Sequence, residues 1–106
     1  MTNLTGDILR ILIPGRTHVL ERNGGQAFVY LAADGTGHMR LDDGETRSGT
    51  WRLTDNGYAT EWASGHKGEW VLEETASGLD YISRDGTQRL KMVGVLFGDP
   101  ERLAAN

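Results

Sequence analysis

Residues 46–75 read TRSGTWRLTDNGYATEWASGHKGEWVLEET, and this stretch decides the fold. Within it Trp51 and Leu53, Tyr58 and Trp62, and Trp70 and Leu72 keep one parity, while Arg52, Glu61, Glu69 and Glu73 fall between them. A period of two sends successive side chains to opposite faces of a strand, so each run has a core face and a wet face. The runs are divided at Asn56-Gly57 and Ser64-Gly65, residues suited to reversing the chain. Connections this short cannot hold a crossover helix, so neighbouring strands must be antiparallel.

The same punctuation recurs at Asn23-Gly24, Asp34-Gly35, Asp43-Gly44, Ser77-Gly78 and Asp85-Gly86. Seven turns imply eight strands, expected near residues 17–22, 26–33, 37–41, 45–53, 58–63, 68–74, 79–83 and 87–96. Asn, Asp and Gly tolerate the positive φ that both central residues of a type I′ hairpin turn require. On the second strand Phe28, Tyr30 and Ala32 are expected to share the core face. Eight successive antiparallel strands between residues 17 and 97 close most simply into an up-and-down barrel, because closure removes exposed edges. The expectation is a mainly β protein whose residues 1–106 form one barrel domain, its interior filled by side chains or holding one small ligand.

Ahead of the strands, Leu4, Ile8, Ile11 and Leu12 fall at offsets of four, seven and eight, and Leu9 and Ile13 widen the stripe. A short helix over residues 5–13 follows, with Thr5 as its N-cap, Asp7 in its first turn and Pro14-Gly15 as its stop. At the other end, Asp99, Pro100 and Glu101 predict a brief helical turn whose Leu103 would plug one end of the barrel.

Composition narrows the function classes. The 106 residues include 15 Gly, 2 Pro and no Cys, with 11 Lys plus Arg against 15 Asp plus Glu. Scattered basic residues on a chain of net charge −4 leave no footprint for a phosphate backbone, so nucleic acid is not an expected partner. Without cysteine there are no disulfides, thiol nucleophiles or thiolate metal sites, and apolar burial must hold the domain. The apolar triplet Ile11-Leu12-Ile13 is preceded by Asp7 and Arg10 and has no basic leader, so neither a signal peptide nor a membrane span is expected. That predicts a cytoplasmic location, or a periplasmic one if a leader has been removed.

The most informative constellation is aromatic. Trp51, Trp62 and Trp70 lie on successive strands, with Phe28, Tyr30, Tyr58 and Tyr81 at matching alternate positions. Such a ring either fills the core or lines a pocket for an apolar or aromatic molecule, with tyrosine and tryptophan donors to orient it. Counting back by twos from Trp51 reaches Arg47, a charge on the core face near a strand end, where it would pair with an acid or hold a ligand carboxylate.

Motifs for catalysis are weak. His18, His38 and His66 lack metal-ligand spacing, and each is expected at the surface, His38 pointing outward by its parity against Met39 and Leu41. Acid-base chemistry would fall to His38 with Arg40, Tyr30 or Glu61. Asp42, Asp43 and Glu45 span a hairpin turn and lack the ligand spacing of a calcium loop. Gly35-Thr36-Gly37 is not followed by a helical pattern, so it is no phosphate loop. Neither a metal nor a cofactor is expected.

In Gly49-x-Trp51-x-Leu53, Asp55-Asn56-Gly57, Trp62, Tyr81 and Asp85-Gly86-Thr87, together with Gly15-Arg16-Thr17 and Asp34-Gly35-Thr36, the chain resembles a family of small uncharacterised bacterial proteins with a lipocalin-like β-barrel. The resemblance implies that fold and a small-molecule site, and it supplies no catalytic residues. The cysteine pair common in such proteins is absent here.

Three functions are therefore open: binding of a small apolar or aromatic molecule, cofactor-free acid-base catalysis, or an interaction module such as a homodimer. The last is suggested by Val93, Val95, Leu96 and Phe97, an apolar run longer than one buried face needs, so the eighth strand would be buried on both sides or meet a partner. Gly49, inside a strand beside Trp51, marks a bend or a close approach of backbone.

Overall fold

In the computed structural model, which describes residues 2–105, each of the seven turn pairs separates two strands. The elements run β1 (Thr2–Asn3), α1 (Asp7–Leu12), β2 (Arg16–Arg22), β3 (Gly25–Leu31), β4 (Thr36–Arg40), β5 (Thr46–Leu53), β6 (Gly57–Trp62), β7 (Lys67–Thr75), β8 (Gly78–Ser83) and β9 (Arg89–Phe97), then a 3₁₀ turn at Leu103–Ala105. From β2 to β9 every strand pairs antiparallel with its sequence neighbours, and β2 pairs with β9 to close the barrel. The short β1 adds to β7 beside Glu73 and Glu74.

Turn chemistry differs from the expectation at most hairpins. At Asn23-Gly24 both residues have positive φ, as a type I′ turn requires. At Asp34-Gly35, Asp43-Gly44 and Asp85-Gly86 only the glycine does. There the aspartate serves as a side-chain acceptor, Asp34 taking hydrogen bonds from Thr36 N (2.9 Å) and Thr36 Oγ1 (2.7 Å). Asp85 accepts from Thr87 N, Ser83 Oγ and Thr87 Oγ1, and these donors hold its carboxyl down at about 2.

Two glycines hold adjacent strands close. A Cβ at Gly49 would come within 2.8 Å of Trp62 Cα, and one at Gly57 within 2.7 Å of the Trp70 carbonyl carbon. The close approach expected at Gly49 is present, and Gly57 provides a second one on the far side of β6.

The barrel has two unlike ends. At one, α1 packs against the interior: Leu9 is 1% exposed, and Leu9, Ile13 and Leu4 share a core with Leu31, Leu72 and Tyr81. Leu12 packs against this core, whereas Ile8 and Ile11 are 55% and 68% exposed, so the expected helical stripe is corrected. Residues 9, 12 and 13 turn toward the barrel; residues 8 and 11 lie on the outer side of the same short helix. The N-cap is Gly6, without a side-chain cap, instead of Thr5.

The phase of β3 is also corrected. Ala27, Val29 and Leu31 are buried in the core, which leaves Phe28 and Tyr30 on the outer face. There Phe28 lies under the Arg40 guanidinium, 4.8 Å from its ring centroid, and Tyr30 stacks on His38. Outward aromatics are tolerated because this wall has a second cover. The C-terminal 3₁₀ turn packs against β3 and β4, with Leu103 buried. Asp99 accepts from the backbone N–H groups of Leu103 and Ala104, and Arg40 pairs with Glu101 at 2.7 Å. Leu103 therefore lies outside the barrel wall; α1 is the plug.

On β9 the outer residues are not covered twice, contrary to one expectation. Val93 and Val95 are exposed and Phe97 is 82% exposed.

Candidate functional site

At the end opposite α1, the hairpin turn at Asn23-Gly24, residues His66 and Lys67 just after the Ser64-Gly65 turn, and the turn across Arg84–Gln88 surround the mouth of a cavity of about 1110 Å³. Its walls follow from strand parity. Leu20, Ala27, Val29, Met39, Leu41, Trp62, Trp70 and Leu90 supply apolar surface, and Tyr58 and Tyr81 line it more deeply. A closed eight-stranded barrel has room for one small ligand when its side chains leave the centre free.

The tryptophans do not act as one ring. Trp62 and Trp70 line the cavity, whereas Trp51 lies in the filled half and donates its Nε1–H to Ala32 O at 2.8 Å. Gly37 lies between the two indoles: a Cβ there would stand in ordinary contact, 3.8 Å from both Trp51 Cδ1 and Trp62 Cη2. Phe28 and Tyr30, on the outer wall, do not line the cavity.

The deep wall carries a buried hydrogen-bond chain that sequence reading missed. His18, expected at the surface, is fully buried. Its Nε2 lies 3.0 Å from Leu12 O, and its Nδ1 meets the Tyr81 hydroxyl. Tyr58 Oη donates to Tyr81 Oη at 3.1 Å. A carbonyl can only accept, so Nε2 carries the imidazole hydrogen, Nδ1 accepts from Tyr81, and Tyr81 in turn accepts from Tyr58. The rings interlock as well: His18 and Tyr58 each meet Tyr81 edge-on, with centroids 5.7 and 5.6 Å apart, and Trp70 tilts against it at 5.7 Å.

Burial governs the electrostatics here. Desolvation lowers the His18 pKa from 6.5 to about 4, with the bond to Leu12 opposing the shift, so the ring is neutral near pH 7. Burial pushes the phenol of Tyr58 up, and burial together with Tyr58 pushes that of Tyr81 well up.

A signal for His18 was available through register. His18 pairs with Val29, which is inward, and two residues on Leu20 pairs with Ala27. The aliphatic phase of β3, Ala27-Val29-Leu31, places His18 inside; the aromatic phase places it outside.

The mouth is charged but internally matched. Arg22, Arg47, Lys67, Arg84 and Arg89 line it. Arg47, on the predicted core face, pairs with Glu45 at 3.1 Å, Arg84 with Glu69 at 2.9 Å, and Arg22 with Asp42. Lys67 lies 3.8 Å from Glu61, and Arg89 bridges Glu73 and Asp80.

Of the acid-base candidates, Tyr30 and His38 are stacked cross-strand partners, whereas Arg40 and Glu61 make their contacts elsewhere. His38 reaches Ser48 Oγ and Thr36 Oγ1, each at 3.3 Å, Arg40 reaches Glu101, and Glu61 reaches Lys67. Among the described residues no hydrogen bond joins any two of the four candidates His38, Arg40, Tyr30 and Glu61, and none of the four lines the cavity. Among the same residues no group of three or more His, Asp or Glu side chains could hold a metal ion.

No family model, curated protein or solved structure matches this chain. The roles of its residues are read from their own chemistry.

Proposed function

We propose that the protein binds a small apolar or aromatic molecule inside its barrel. The observation that supports this reading is the cavity of about 1110 Å³, open at the hairpin end and closed below by the Tyr58–Tyr81 pair and α1. Apolar walls make binding favourable by removing ligand surface from water, and Trp62 and Trp70 offer flat faces against which an aromatic ring packs. The lipocalin-like resemblance of the sequence agrees with such a role.

Naphthalene is a suitable first probe, being rigid, uncharged and small enough for the cavity. Titration is expected to shift the tryptophan emission and to saturate at one molecule per chain by calorimetry. Ala27→Trp, which fills the cavity from β3, is expected to abolish binding while the far-ultraviolet circular dichroism stays that of a β protein. Naphthalene heats unchanged by Ala27→Trp would overturn this assignment of the site.

A further inference from the structure

The hydrogen-bond chain beneath the cavity has a direction, and the direction has a consequence for what the cavity accepts. Leu12 O fixes the hydrogen of His18 on Nε2. His18 Nδ1 then consumes the Tyr81 hydrogen, and Tyr81 Oη consumes the Tyr58 hydrogen. Each hydroxyl has one hydrogen to give, and both are already given inward. Tyr58 Oη accepts nothing among the described residues, although a phenol oxygen has lone pairs to offer. Both tyrosines border the cavity, but Tyr81 is 0% and Tyr58 1% exposed, so Tyr58 is the one a ligand can meet, at the cavity floor.

We infer that the cavity selects ligands carrying a hydrogen-bond donor, a phenol, alcohol or N–H group on an apolar body, with Tyr58 Oη as the acceptor that specifies it. This rests on the binding reading above and deepens it. Tyr58 is the specificity-determining residue; Tyr81 and His18 act through it by holding its hydrogen away from the ligand. The charged mouth is a weaker guide to the ligand, because each of its five cations already has a carboxylate partner. A ligand with a donor adds a hydrogen bond to Tyr58 Oη that a ligand of the same shape without one cannot make, so the latter should bind roughly tenfold more weakly.

The test compares 2-naphthol with 2-methylnaphthalene, which has nearly the same outline and no donor, on the wild-type chain and on Tyr58→Phe, by calorimetry. The expected result is a roughly tenfold preference for 2-naphthol in the wild type that disappears in Tyr58→Phe, with 2-methylnaphthalene affinity little changed. Equal binding of the two probes, or a 2-naphthol preference that survives Tyr58→Phe, overturns the inference and leaves the binding site standing. If neither probe binds, both the site and its selectivity are overturned. A measurement on the unmutated chain stands apart from any folding defect of the variant: nitrogen-15 NMR of the His18 ring at pH 7 should show Nε2 protonated and Nδ1 bare. The opposite tautomer would reverse the chain and overturn the inference.

Discussion

The two ends of the barrel are built from the same hairpins yet packed in opposite ways. At the α1 end, Leu4, Leu9, Ile13, Leu31 and Leu72 are all buried in one cluster, with Trp51 and Leu53 against it. At the hairpin end, the partly buried Met39, Leu41 and Leu90 face a space that none of the described residues fills. The same parity of strand residues thus gives a core where a helix covers it and a cavity where only turns surround it. Side chains of one chemical type consequently have different work at the two ends: cohesion at one and, under the proposed function, contact with a ligand at the other.

Mutation should separate the two. Leu9→Ala removes a fully enclosed side chain and should cost about 4 kcal/mol in urea unfolding, since transfer and void terms add. Equal losses at Leu9 and at a cavity position such as Leu41 would erase the distinction between the ends.

Acid probes the boundary between them, where His18 lies. Its pKa is 6.5 unfolded and about 4 folded, so between those values the unfolded chain takes up a proton that the fold refuses. This contribution is fully present above about pH 6.5 and is lost as the pH falls to about 4, amounting to about 3 kcal/mol. Urea midpoints measured across that window should fall for the wild type, and the fall should flatten in His18→Gln. A wild-type chain as stable at pH 4.5 as at pH 7 would place His18 in water.

Gly49→Ala sharpens the comparison from the wall that the two ends share. The added methyl meets the backbone of Trp62, and a backbone cannot rotate aside, so about 2 kcal/mol should be lost. At the open end, Leu41→Ala should lose less than about 1 kcal/mol, because the removed atoms border an existing space. Its readout is binding: naphthalene affinity should fall a few-fold while the urea midpoint barely moves. Smallest of all, Glu101→Gln removes a half-exposed ion pair with Arg40 and should change stability by less than about 0.5 kcal/mol.

Much of this was legible in the sequence, for reasons that are local. Turn pairs and alternation placed all eight barrel strands within a residue or two at most of their ends, because hairpins are written by neighbouring residues. The inward face of β5, β6 and β7 was likewise clear, since tryptophans, a tyrosine and leucines alternated with charges. β3 is ambiguous in principle: GQAFVYL has apolar residues on both faces, and by size alone the aromatics outweigh the smaller Ala27 and Val29. The deciding partner, the turn around Leu103, lies some seventy residues away in sequence and covers the outer wall. Through its register with Val29, the aromatic phase carries His18 to the wrong side. The helix failed for a related reason, since six residues make fewer than two turns and a four-residue stripe fits either side.

The seam between β2 and β9 bears on how the chain reaches this structure. Seven of the eight barrel pairings join strands consecutive in sequence, while the eighth brings Thr17 to Gly98 across 81 positions. Loop closure makes such a pairing the slow one, and until it forms both strands carry open rows of amides and carbonyls. On β9 the half near Arg89 and Lys91 is guarded by charge, but the half from Val93 to Phe97 is not. An incompletely closed barrel therefore exposes its stickiest strand for longest, so refolding yield should fall as protein concentration rises, even for a chain that is stable once the seam has zipped.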